Sequence, residues 1–372
     1  MNHESTINEH INNPDVSVNQ YIRSKCLELG KVISLKKSVY LDTKFWLILR
    51  DVALDRNNDS VHRDFYEKVF KAVESGRCVF PISEDVFLEV VKQTDQITLS
   101  KTLWLIDFLS LGVSMISFEE RIVLEVKHFI LSSRGRSVHD CGELVWTKLA
   151  YNMGFFSFSS DCLDAETDKA FQKSFIDYMW LISLSDFFEA GAENNDFYKS
   201  GMPKISGKLN EGKFKHLHEN KSFKQMFLSE LGGALDVYSE MIADCVADLY
   251  EAETGQVMTD EERKCSDSSR LLSNAILNAF KLNRSKEIFP TLNVTSGLHA
   301  AIRWDRNQKY QDNDLHDIRH AASALPYCDA FFTEKRLAHL ITQKVTGYDK
   351  KFYCVVASSV SGASEVLSNL KV

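Results

Sequence analysis

Two styles of hydrophobic patterning divide the chain. From 36 to 118, short apolar runs alternate with stretches whose apolar residues recur three and four apart. "SVYLD" (38–42), "CVFPIS" (78–83) and "VSMIS" (113–117) read as strands, with helices over 44–54, 60–75, 84–93 and 98–111 between them. Strands separated by helices predict right-handed crossovers and a mostly parallel sheet. From 119 to 290 the helical spacing dominates, at 119–133, 139–152, 164–190, 229–254 and 260–281, while 199–224 reads as a loop or a pair of short helices. From 291 to 372 the alternating style returns. Helices are expected around 295–305 and 315–325, then the strand "AFFT" (330–333), the strand "FYCVVAS" (352–358) and a closing helix. The expected plan is one α/β domain made of 36–118 and 291–372, interrupted by a helical insertion over 119–290. An extension, 1–35, precedes it, loose up to about 16 and helical over 17–35.

Composition narrows the class. At 44% hydrophobic and 11% aromatic, with only 5 prolines and 16 glycines, the chain can bury a large core and favours helices over long loops. Its net charge of -8 argues against a generally basic nucleic-acid binder but leaves room for local patches. Eight cysteines lie at 26, 78, 141, 162, 245, 265, 328 and 354, with no Cys-x-x-Cys pair, which argues against a zinc ribbon or a redox pair. Most have apolar neighbours, as reduced buried thiols of a cytosolic protein would. The polar start lacks a signal core, and no apolar run is long enough to span a bilayer. A cytoplasmic protein is expected.

Four acids occupy related places. Asp42 ends the first strand, Glu89 lies in the helix after the second, Asp317 opens the helix "LHDIRHAASAL", and Glu334 follows "AFFT". In a parallel sheet the carboxyl ends of the strands share one edge, where ligands usually bind. Clustered carboxylates repel one another unless a cation joins them, and hard oxygen ligands suit Mg²⁺ or Mn²⁺.

The segments "VYLDTKFW", "FPISEDVFLEVV" and "DIRHAASALPYCDAFFTEKRL" resemble the motifs of the PIN-like nuclease superfamily. The likeness covers about 36–118 and 291–372 and leaves the insertion unexplained. It implies a PIN-like fold and a Mg²⁺- or Mn²⁺-dependent endoribonuclease, with the metal held by Asp42, Glu89, Asp317 and Glu334. It also implies RNA rather than DNA as substrate, and a toxin or antiviral-defence setting. The sequence departs from the pattern in having Glu rather than Asp at 334, followed by Lys335, and in its long insertion. That insertion is available to clamp substrate, to pair with a second copy or to bind a regulatory protein.

Plainer readings stand beside these. Asp42 is also a favoured helix cap, and Asp317 answers a helix dipole. Asp85, Asp312, Asp314 and Asp329 are substitutes if the register is off. Thr333 is either a β-branched strand residue or a partner of a carboxylate or a metal-bound water. Lys44, Arg319 and Lys335 are candidates to contact phosphate or to screen the acidic edge. His316 and His320, four apart, also resemble a zinc-binding pair, and with Asp317 and His299 they suggest a His/Asp phosphohydrolase. A non-catalytic PIN-like module that binds RNA or protein is the remaining alternative.

Overall fold

The computed structural model describes residues 6–154, 162–190, 205–216, 219, 221–265, 268–282 and 288–370. It is a mixed α/β structure, mainly helical, around a small four-stranded sheet ordered β2-β1-β5-β6 and wholly parallel. β1 (Lys37–Leu41) and β5 (Ala330–Phe332) are its centre, and β2 (Cys78–Val79) and β6 (Val355–Ala357) its flanks. Pairing of β1 with β5, from Val39↔Ala330 to Leu41↔Phe332, joins segments almost three hundred residues apart. These two strands are central because Val39, Tyr40, Leu41, Phe331 and Phe332 are fully buried, covered on both faces as parallel sheets are. Phe45, from the helix after β1, packs its ring 5.7 Å from Phe65 and 5.8 Å from Phe332.

The third expected strand departs from the plan. β3 (Val113–Met115) touches the segment after β2 through one parallel bridge, Ile82↔Ser114. Its main partner is β4 (Trp146–Lys148), antiparallel, from the stretch expected to be helical over 139–152. The strand expected at 78–83 is likewise only two residues long.

Elsewhere in the insertion helices dominate, as its pattern predicts. The stretch 229–254 is two helices, Phe223–Val237 and Ser239–Thr254. Of the Lys-rich stretch, Ser206–Lys215 is helical, and 199–204 lies outside the described residues.

The insertion is fastened to the sheet layer by buried polar groups. Glu125 accepts hydrogen bonds from the Thr291 amide and the Tyr327 hydroxyl, each at 2.9 Å. Arg121 donates to the Ile116 carbonyl and the Ser323 hydroxyl, each at 2.8 Å. Burial pushes the Glu125 carboxyl up to about 7.

The N-terminal stretch is more ordered than expected. Residues Ile7–Ile11 form a short helix, fixed because Asp177 gathers Thr6 (2.6 Å), Tyr21 (2.5 Å), His10 (2.7 Å) and Lys25 (2.6 Å). Among the described residues, Cys26, Cys78, Cys141, Cys245, Cys328 and Cys354 are thiols outside any disulfide. Among the described residues no helix is long and apolar enough to cross a membrane.

Candidate metal centre

The carboxyl ends of β1 and β5 are neighbours, and the ladder runs one step past them: the Asp42 amide donates to the Phe332 carbonyl at 2.9 Å. Asp42 thus emerges beside Thr333 and Glu334. It stands at the N-cap position of the helix Thr43–Ala53, yet its side chain makes no capping bond. Its Oδ2 instead accepts the Thr333 hydroxyl at 2.7 Å, and the residue is 5% exposed. A capping aspartate would turn to the amides ahead of it, as Asp59 does with Val61 and His62. Asp42 turns away from its helix, into the protein.

Two further side chains meet it there. Glu89 comes from the short helix Glu84–Val90 and accepts the Thr43 hydroxyl. His320 comes from the helix Asp314–Tyr327 and is 1% exposed. Its Nε2 lies 3.1 Å from Glu89 Oε2, and its Nδ1 lies 2.8 Å from the Tyr40 hydroxyl, itself 2.6 Å from Ser83 Oγ. One potential ligand atom from each of Asp42, Glu89 and His320 lies within 4.8 Å of the other two. Each of the three is also held from behind by a hydroxyl: Asp42 by Thr333, Glu89 by Thr43 and His320 by Tyr40. Such outer partners fix a ligand's direction and, for an imidazole, its tautomer.

The charges are tightly coupled. Burial alone would lower the His320 pKa, but its bond to Glu89 and the charges of Asp42 and Glu89 raise it to about 9. Burial would raise Glu89, but His320 and Thr43 bring it down to about 2. Without a cation, an imidazolium therefore offsets the carboxylates. Asp317 is lifted to about 7, first by burial and then by the charge of Asp42, with smaller contributions from Asp314 and Glu334. Asp317 and Glu334 thus lie near enough to share this electrostatic environment, although neither belongs to the close cluster. Glu334 is exposed at the N-cap of the helix Lys335–Thr342, again without a capping bond.

The expected basic residues separate. Lys44 and Lys335 are exposed at the starts of the helices following β1 and β5. Arg319 is engaged inside the protein, by Asp85 at 2.7 Å, Glu119 at 3.0 Å and Glu84 at 3.6 Å, with its guanidinium 4.5 Å from the centre of the Phe118 ring. The substitute acids also have partners. Asp314 pairs with Arg336 at 2.9 Å, and Asp312 accepts from Ser206 at 2.6 Å. Asp329 accepts the Ser38 amide at 2.9 Å, at the opposite end of β1.

Of the histidines considered with Asp317, His299 faces Tyr310 at 3.1 Å, and His316 is buried with no partner on Nδ1. Neither joins the cluster that His320 joins. Sequence reasoning did not assign Tyr40 or Thr43 a part. The one available signal for Tyr40 was a hydroxyl-bearing residue in an otherwise apolar central strand, since a buried phenol needs a partner.

The donor set of two carboxylates and an imidazole, converging and held from behind, suits a divalent cation. No family model matches the chain, and no curated protein or solved structure matches it.

Proposed function

We propose that the chain is a divalent-metal-dependent endoribonuclease with a PIN-like arrangement of its α/β core. The observation that carries this reading is the turn of Asp42 away from its own helix and into a cluster with Glu89 and His320. In this reading Asp42, Glu89 and His320 hold the ion, and Asp317 acts beside them through water. A Mg²⁺ or Mn²⁺ ion bound there would lower the pKa of a water and offset charge on a phosphate. Thr333, Thr43 and Tyr40 keep the three side chains in register, so little reorganisation accompanies reaction. A water so activated would attack phosphorus in line with the leaving oxygen, giving up its proton to a neighbouring carboxylate or to solvent, while the leaving oxygen would take a proton from solvent as the P–O bond breaks; no nucleophilic side chain is needed. Lys44 and Lys335, exposed at the starts of the helices after β1 and β5, would offset the charge of an incoming phosphodiester. Arg319 is assigned to the fold, because three carboxylates already engage it.

RNA is the proposed substrate because of the motif resemblance and because an unpaired strand can bring a phosphate into a recessed site. The direct bond of His320 to Glu89 favours one competing reading, a structural ion pair in a module that binds RNA or protein without cutting it. Incubating purified protein with single-stranded RNA, with Mg²⁺ or Mn²⁺ and then with EDTA, separates the two. Metal-dependent cutting that EDTA stops supports the nuclease. Intact RNA under every condition supports the binding module.

A further inference from the structure

We infer that His320 is a direct metal ligand and that the site therefore prefers first-row transition ions over Mg²⁺. This rests on the reading of the cluster as a metal centre and adds which ion it selects. The four acids of the motif resemblance would make an all-oxygen site. The geometry instead brings a nitrogen to the two innermost acids: His320, not Asp317 or Glu334, supplies the third atom within 4.8 Å.

Three observations favour ligation. The atom facing the carboxylates is Nε2, because Nδ1 is occupied by the Tyr40 hydroxyl at 2.8 Å. Tyr40 is itself held by Ser83 at 2.6 Å, so the ring orientation is fixed by a chain of buried groups and not by Glu89 alone. The ring is buried at the wall of the site, 1% exposed, and cannot swing out to let water replace it. Mg²⁺ demands near-ideal octahedral coordination and retains its waters, whereas first-row transition ions bind a site containing imidazole with an affinity that rises from Mn²⁺ to the later ions, so Mn²⁺ is the most stringent probe of the preference. A nitrogen that cannot leave therefore works against Mg²⁺ more than against Mn²⁺.

The same atoms serve a simple His320–Glu89 ion pair, so the test must detect nitrogen on the ion. Mn²⁺ is titrated into the purified chain, and the complex is read by pulsed electron paramagnetic resonance for coupling to a directly bound ¹⁴N. Mg²⁺ is then used as competitor. The expected result is a ¹⁴N coupling in the wild type, with Mg²⁺ displacing Mn²⁺ only at an excess of about tenfold or more. His316→Ala keeps the coupling and His320→Gln loses it. The wild-type and His316→Ala spectra together decide the inference even if His320→Gln fails to fold. Mn²⁺ binding without nitrogen coupling, or a coupling abolished by His316→Ala instead, overturns the assignment of His320 and leaves a metal centre in place. Even competition by Mg²⁺ overturns the preference. No binding of either ion removes the metal-centre reading and this inference together.

Discussion

The hydroxyl of Tyr40 lies 2.8 Å from Nδ1 of His320, linking the central strand to the helix that carries the third candidate ligand. Tyr40→Phe keeps the ring and removes this link. Loss of such an outer partner costs about 10–100-fold in metal affinity. It also leaves Ser83 and His320 short of a buried partner, at about 1–3 kcal/mol of stability. Mn²⁺ titration and a denaturant melt of the variant measure both. Unchanged affinity would show that Tyr40 does not orient a ligand.

The coupled charges set the pH dependence of the metal-free protein. Glu89, lowered from 4.5 to about 2, contributes stability that is complete above pH 4.5 and lost as acid approaches its folded value. His320, raised from 6.5 to about 9, contributes stability that is complete below pH 6.5 and lost as pH rises through its folded value. Asp317 is an acid with a raised pKa, from 3.8 to about 7, so across that interval the native state binds the extra proton and stability falls as pH rises. His299 and His316, held below the usual histidine value by burial, act in the opposite sense up to about pH 6.5, so in EDTA the melting temperature should decline from about pH 6.5 to about pH 9. With saturating Mn²⁺ the decline should shrink, because the ion binds deprotonated ligands and replaces the imidazolium charge. Thermal melts across this range, with and without metal, provide the check. A metal-free protein that gains stability from pH 6.5 to 9 would contradict the charge assignment.

Arg319 should matter to the fold more than to phosphate contact. Arg319→Ala strands Asp85, which is 1% exposed, and breaking such a pair costs about 3–5 kcal/mol. Asp85→Asn combined with Arg319→Met removes both charges and should recover part of that loss. Urea melts of the single and double variants decide it. An Arg319→Ala protein with wild-type stability would return Arg319 to the list of substrate contacts.

What could be read from the sequence follows local chemistry. Asp42 and Glu334 announce themselves because each ends an apolar run just before helical spacing begins. Parallel strands separated by helices are likewise written in the two periods of hydrophobic patterning, and the parallel β1–β5 pairing joins the two halves as that pattern leads one to expect, although the strand order itself was not legible. The three-residue β4 was not legible, because Trp146–Lys148 lies in an apolar stretch compatible with a helix and is a strand only through its pairing with β3. Ile7–Ile11 has too little apolar surface of its own, and Asp177, distant in sequence, makes it a helix. The partners of His320 and Arg319 were hidden for the same reason. Tyr40, Glu89 and Asp85 all lie more than two hundred residues away in the chain, and only tertiary packing brings them together.

The most direct measurement is RNA cleavage by wild type, Asp42→Asn and His316→Ala, assayed side by side with Mn²⁺ or Mg²⁺ and again in EDTA. Asp42→Asn preserves the side chain's shape and removes one ligand charge. Its rate should fall by about 100-fold or more, since metal stabilisation of the transition state is worth several kcal/mol. His316→Ala should retain most of the wild-type rate, and EDTA should stop every variant that cuts. Wild-type cutting by Asp42→Asn together with an inactive His316→Ala would contradict the carboxylate-centred mechanism.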